Sequence, residues 1–215
     1  MTLRDKVYQN LYRDITDGLI SQGEIITEND LGSRFSVSKA PVREALGQLC
    51  REGILQSLPR LGYQVRTISL KEIADIIETR VDLEVSGLRR LEAGMSDEQR
   101  KAFDALWNSA FTFSEERNAK DISGDWANNY SFHRGLYALN RNECGYAIVD
   151  SLIHKSSLYI SQYYLAAWGE KRPITDALHK EILGAVRTGD FDTACKKLAL
   201  DIRKPKQDII KMHEM

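Results

Sequence analysis

The stretch from Thr27 to Val65, TENDLGSRFSVSKAPVREALGQLCREGILQSLPRLGYQV, constrains the fold more than any other part of the chain. Thr27 precedes Glu28-Asn29-Asp30 and can cap a helix, with Asp30 at the third position completing a capping-box-like start. That helix is short and ends near Phe35. Ser36-Val37-Ser38 makes a turn, and Ser38 is placed to cap a further helix. Pro41 falls in the first turn of that helix, where a missing N–H costs little. Val42, Ala45, Leu46 and Leu49 recur at helical spacing and give it a buried face, and Gly53 closes it. Residues 54–66 read as two short strands around Pro59-Arg60-Leu61-Gly62, with Arg60 at the tip of the turn. Two short helices, a tight turn and a basic-tipped hairpin make a winged helix-turn-helix, a module that puts one helix into the DNA major groove.

The flanking sequence completes the layout. Val7, Leu11, Ile15 and Leu19 form one apolar face and predict a first helix over 3–20. After Val65 the texture becomes almost entirely helical. Ser69 with Glu72 is a capping box. Ile73, Ile76, Ile77, Val81, Leu88 and Leu91 form the stripe of a long helix stopped at Gly94. Further helices are expected over 97–117, 121–140, 143–166, 174–188 and 190–212, with Pro173 and Pro205 as the interruptions. The fold class is therefore mostly α. An N-terminal winged helix-turn-helix of three helices plus a small β-hairpin wing occupies 1–68, and an all-α helical bundle occupies 69–215.

Charge is informative in its distribution. The whole chain carries a formal −1. From Arg34 to Arg66, Arg34, Lys39, Arg43, Arg51, Arg60 and Arg66 face only Glu44 and Glu52, a local net of +4. A basic patch on a near-neutral chain suits a protein that meets phosphate with one face. In the helix after Ser38, the small residues Ser38 and Ala40 allow close approach to a groove. Lys39 and Arg43 can reach guanine edges or phosphates, and the arginine fork pairs with two acceptors on guanine. The helix N-terminus offers free N–H groups to a phosphate. Arg60 at the wing tip is placed for a phosphate or minor-groove contact. A small helical subdomain with a solvated basic face would share this composition.

The residue pattern separates the two. VSKAPVREALGQLCREGILQSLPRLGYQV closely resembles the signature of the GntR family of bacterial transcription regulators, carried by Val42, Arg43, Glu44, Ala45, Leu46, Leu49, Gly53 and Gly62. The resemblance covers roughly residues 5–66. It implies a homodimer on near-palindromic double-stranded operator DNA, with Ser38, Lys39, Ala40, Pro41, Arg43 and the Arg60–Gly62 wing at the DNA. Where the family often has a basic residue near the start of the second helix, this chain has Asn29, which can read adenine.

The helical part resembles the FadR-like branch of the same family, with its FCD-type effector domain. EIADIIETRVDLE, FHRGLYALNRN and HKEILGAVRTGDFDTA carry that looser resemblance. It implies a small carboxylate effector held inside the bundle, with one divalent transition metal ion (Zn, Ni or Mn) per chain. The family ligand pattern is Asp-x-x-x-His, then His, then His. Here the matching positions are Asn129, His133, His179 and Asp201, so Asn replaces the Asp and Asp replaces the last His. Imidazole with carboxylate and amide oxygens still suits such ions. Two alternatives stay open: a metal-free site that binds ligand directly, and bundle histidines satisfied by ordinary hydrogen bonds. Arg80 is either half of an i,i+4 pair with Glu84 at the surface or the group that grips the effector carboxylate in two-toothed fashion. The resemblance favours the second. Tyr130 is a candidate to line the same cavity, with Tyr159, Tyr163 and Tyr164 as further aromatic candidates, although such residues usually pack in cores.

Composition sets the outer bounds. The chain has 42% hydrophobic and 28% charged residues, enough for real cores. It contains no eighteen-residue apolar run, so no membrane partner is expected. Its N-terminus lacks a signal-peptide pattern, and Cys50, Cys144 and Cys195 form neither a disulfide framework nor a C-x-x-C metal pattern. A cytoplasmic location is expected. The leading expectation is a ligand-responsive transcription regulator, most simply a repressor, and not an enzyme. A metal-dependent hydrolase built on the helical domain and an effector-independent DNA-binding protein are the competing functions.

Overall fold

The computed structural model describes residues 1–115, 122–168 and 177–213. Two compact units emerge: Met1–Ser69 with Ser161–Lys171, and Leu70–Ile160 with Arg172–Met215.

In the first unit, α1 (Leu3–Thr16) begins with a full capping box between Thr2 and Asp5. It stops four residues before the expected end. Asp17 caps it, Gly18 turns at φ 76°, and Leu19 is 69% exposed while Ile20 is buried. Leu19, which the apolar spacing placed on the inner face, is turned to solvent by the chain reversal, and Ile20 takes the core position instead. A short strand follows, β1 (Ile25–Ile26), which the local sequence did not signal. Next come α2 (Glu28–Phe35), capped by the Thr27 side chain, and α3 (Lys39–Arg51). Ser36, at φ 53°, ends α2 in the left-handed conformation. The hairpin strands are β2 (Leu55–Leu58) and β3 (Gly62–Val65).

The three strands form an antiparallel sheet in the order β1-β3-β2, with Leu55 opposite Val65, Leu58 opposite Gly62 and Ile25 opposite Gln64. Gly62 is required by the crossing: a Cβ there would stand 2.4 Å from the Ile26 carbonyl oxygen, and its φ is 127°. The core joins α1 and α3 through Leu11, Ile15, Val42, Leu46 and Leu49, each at most 0% exposed. Burying one such side chain contributes about 1.5–3 kcal/mol. The C-terminal end of α7 (Glu143–Trp168) belongs to this unit, with the Ser161 hydroxyl donating to the Thr16 carbonyl at 2.6 Å.

The second unit is all helical among the described residues. It contains α4 (Leu70–Arg90), a 3-10 turn at Leu91–Ala93, α5 (Asp97–Glu115), α6 (Ile122–Ala138), most of α7, α8 (Ala177–Thr188) and α9 (Phe191–His213). The expected starts at 121 and 174 fall outside the described residues, as does the expected end of α5 at 117. Pro205 lies inside α9 and does not interrupt it. Helix α9 packs against both α4 and α8. On α4 the buried stripe runs Ile73, Ile77, Arg80, Val81, Glu84, Leu88. A charged pair therefore sits in the middle of an apolar face. No helix of the described residues is long and apolar enough to cross a membrane.

Candidate functional site

The first candidate surface follows from how α3 is packed. Val42, Ala45, Leu46 and Leu49 turn one face inward, which leaves Ser38, Lys39, Ala40 and Arg43 exposed on the other, with Pro41 half-buried. Ser38 occupies the N-cap position but its hydroxyl makes no capping hydrogen bond, contrary to the sequence expectation. No acidic residue lies in the first turn of α3. The N–H groups and positive dipole end are thus open to an anion. Asn29 is exposed at the start of α2. At the wing tip the Leu61 N–H donates to the Leu58 carbonyl at 3.1 Å, closing a turn with Pro59 and Arg60 in its middle. Arg60 has φ 66°. Proline first and a positive φ second is the arrangement of a type II turn, which normally takes glycine or asparagine at the second position. Holding an arginine there costs about 1–3 kcal/mol, the kind of strain found at functional positions.

Arg43 has a partner that the sequence reading missed. Its Nε and Nη2 donate to the two carboxylate oxygens of Glu28 at 2.9 and 2.8 Å. Tyr63 of β3 donates to the same carboxylate at 3.3 Å. Arg43 holds the Glu28 carboxyl below its ordinary range, more than offsetting the slight burial. The two residues are fifteen positions apart on different helices, so no local spacing announces the pair.

The second candidate site is a buried chain of polar groups in the helical unit. Arg80 is 4% and Glu84 3% exposed. The Arg80 Nε donates to Glu84 at 2.7 Å and its Nη1 donates to the Ser156 hydroxyl at 3.0 Å. Its Nη2 is buried with no hydrogen-bond partner among the described residues. The second Glu84 oxygen meets His133 Nδ1 at 2.7 Å. On the other side of that ring, His133 Nε2 lies 3.2 Å from Asp201 Oδ2, and His179 Nε2 lies 3.3 Å from the same oxygen. Phe132 stacks on the His179 ring, centroids 3.7 Å apart and planes 10° from parallel. Five helices thus converge: α4 supplies Arg80 and Glu84, α6 His133, α7 Ser156, α8 His179 and α9 Asp201.

The electrostatics follow from this order. Burial alone would push the Glu84 carboxyl up, but the charges of Arg80 and His133 outweigh it and hold it below its usual value. Burial opposes charging His133, but Glu84 and Asp201 raise it above the ordinary imidazole range. Asp201 is held well below the carboxylate range, because His133 and His179 outweigh its desolvation.

The donor set fits a divalent ion. Asp201 Oδ2 is close to two ring nitrogens, yet it accepts no aligned hydrogen bond. Two atoms each about 2.0–2.1 Å from a tetrahedral ion stand roughly 3.3 Å apart. The two separations to Asp201, 3.2 and 3.3 Å, match that figure, and the ligand atoms of His133, His179 and Asp201 all lie within 4.8 Å of one another. Glu84 supplies the outer partner that a metal-bound imidazole needs at its other nitrogen. Asn129 is buried one turn before His133 on α6.

Other expectations fare differently. Arg80 and Glu84 do pair at i,i+4, but in the interior rather than at the surface. Tyr130 is not brought into the cluster. Its hydroxyl donates to Asp150 at 2.8 Å, its ring lies under the Arg134 guanidinium, and it packs beside Tyr137, Val149 and Ile153. Tyr159 and Tyr164 are buried core residues. His154, another unassigned bundle histidine, meets Tyr130 edge-on at 6.1 Å. Ser156 gave no sequence signal, because a serine bonded across helices looks like any other serine.

Comparison with known proteins draws the two sites together. Residues 3–65 match the model of the bacterial regulatory proteins of the gntR family, and residues 75–203 match that of the FCD domain. The chain belongs to the GntR family. This GntR-family regulator of transcription is 27% identical over 193 residues to BphR, an uncharacterised HTH-type transcriptional regulator of Paraburkholderia xenovorans, covering 85% of this chain and 74% of that protein. It is 42% identical over 86 residues to the gluconate operon transcriptional repressor of Bacillus subtilis, covering 40% of this chain and 35% of the repressor. That second match therefore spans about a third of the repressor. In fold the chain is similar to Escherichia coli McbR/YncC, with a TM-score of 0.69 at 18% identity over 100% of this chain and 98% of that one.

Proposed function

We propose that this regulator is a repressor that binds a near-palindromic operator as a homodimer and is controlled by a small organic acid held in the helical domain. Operator contact falls to Ser38, Lys39, Ala40, Pro41 and Arg43 of α3, to Asn29, and to the Arg60–Gly62 wing. Half-sites about one helical turn apart match two-fold protein symmetry. The repressor sense is supported by the name of the gluconate operon relative. The protein acts in the cytoplasm, and its buried polar site serves binding rather than catalysis.

The observation that carries the effector reading is the Arg80 guanidinium, buried with Nη2 unpartnered. An unpaired buried donor is costly, and a carboxylate satisfies it with a charge-assisted bond. His133, His179 and Asp201, with Asn129 beside them, would hold one divalent transition metal ion of the Zn, Ni or Mn class. Such an ion would supply a positive centre beside which an anionic ligand is stabilised. Effector binding then shifts the population between arrangements that do and do not fit the operator.

Elemental analysis of the unchelated protein, with a thermal-shift screen of metals and small organic acids, tests this reading. One metal per chain is expected, lost on His133→Ala with His179→Ala. A carboxylate at a hundred times its Kd stabilises by about 2.7 kcal/mol, a rise of roughly 5–11 °C for a domain of this size. No saturable shift across the panel refutes the effector. A shift without metal refutes the ion and leaves Arg80 as the sole anchor.

A further inference from the structure

A guanidinium offers two edges that can each take a pair of acceptors. The side edge uses Nε and Nη2, and the end edge uses Nη1 and the second Nη2 hydrogen. In Arg43 the side edge is filled by both oxygens of Glu28, at 2.9 and 2.8 Å. The end edge has no partner among the described residues, on a side chain that is 66% exposed. Glu28 is the better-buried partner, its side chain 21% exposed, and Tyr63 from β3 braces it at 3.3 Å. The recognition helix, the helix before it and the wing strand are tied at one carboxylate.

We propose that Glu28 is a specificity-determining positioning residue: by clamping the side edge of Arg43 it presents the end edge to a guanine in the operator. The inference rests on the reading of α3 as the groove-entering helix. Its physical content is threefold. A long side chain loses rotamer freedom when it docks, and the clamp removes part of that freedom beforehand. The end edge, with two parallel N–H groups, matches the O6 and N7 acceptors of guanine. The Arg43–Glu28 pair is also close to neutral, so it adds little of the salt-dependent phosphate attraction that is blind to sequence. The pair buys discrimination in place of bulk affinity.

The test uses the full-length dimer. The wild-type protein selects a consensus from a pool of randomised duplexes. Affinities are then measured at one salt concentration for the consensus, for each single-base replacement and for a scrambled duplex. One guanine position should show a preference of about 5- to 150-fold, and Arg43→Ala should erase it there alone. Glu28→Ala should reduce that preference to below about threefold while binding the scrambled duplex at least as well as wild type, since an acid has been removed from the DNA face. Arg43→Lys keeps the charge and should lose the same preference. Tyr63→Phe, which leaves the clamp but removes its brace, should lower the preference partway. It also serves as the readout should Glu28→Ala fail to fold. Full discrimination in both Glu28→Ala and Tyr63→Phe overturns the proposal. So does a uniform gain for all duplexes in Glu28→Ala with discrimination intact, which would make Glu28 only a competing acid. A wild-type protein that selects no consensus refutes the DNA reading itself.

Discussion

Replacing Arg80 by Met isolates the energetics of the buried polar chain. In the folded protein Arg80 and Glu84 are 4% and 3% exposed and bonded at 2.7 Å. Methionine fills most of the apolar volume of the arginine stem but removes the charge opposite Glu84. The carboxylate then keeps only His133 Nδ1, at 2.7 Å. Breaking a buried pair from one side typically costs about 3–5 kcal/mol, because it strands a charge in the interior. For a domain of this size that lowers Tm by roughly 6–20 °C. Replacing both partners, as Arg80→Met with Glu84→Leu, removes the stranded charge and should recover most of the loss on that side, less whatever His133 forfeits. Urea unfolding followed by tryptophan fluorescence in a Trp168→Phe background, which leaves Trp107 and Trp126 of the helical unit, reads out the relevant transition. The double-mutant cycle should return a coupling well above about 1 kcal/mol. A single Arg80→Met variant within about 0.5 kcal/mol of wild type would refute the claim that the pair is desolvated.

Two further outcomes are expected. Gly62→Ala should destabilise the winged unit by about 1–3 kcal/mol, because its Cβ would meet the Ile26 carbonyl at 2.4 Å; hydrogen exchange at β3 would report it, and unchanged protection would contradict the crossing. Glu78 is depressed to about 2 by hydrogen bonds from Arg203 and Lys206. The contribution of a depressed carboxylate is complete above the unfolded value, about 4.3, and is lost as pH falls toward about 2. Partial exposure limits it to at most about 1 kcal/mol, and Glu78→Gln should flatten the stability profile in that window alone.

Much of this architecture is legible in the sequence because it is periodic or punctuated locally. Val42, Ala45, Leu46 and Leu49 are fully buried as their spacing requires, and Thr27 caps α2 through its side chain. Where packing is non-local the sequence is silent. Strand β1 is two residues long and exists only by pairing with β3. Helix α1 ends early because chain reversal at Gly18, not apolar spacing, decides where it stops. At the site, the i,i+4 spacing of Arg80 and Glu84 is readable but their burial is not, since it is imposed by α6, α7 and α9. The Ser156 and Glu28 contacts cross between helices and leave no periodic trace. Tyr130 shares α6 with His133, yet its hydroxyl engages Asp150 of α7, a contact between helices that no local spacing signals.

Glu84 has one oxygen turned to Arg80 and the other to His133. Electron density drawn toward one side is withdrawn from the other, so the basicity of the imidazole and the pull on the guanidinium are set together. Were an anion to bind Arg80 and a cation to bind His133, as proposed above, each would act on the other through the Glu84 carboxylate. Whatever factor the first imposes on the affinity of the second must return, equal in size, from the second to the first. Titrating acid affinity against metal concentration, and metal affinity against acid concentration, would measure one number twice.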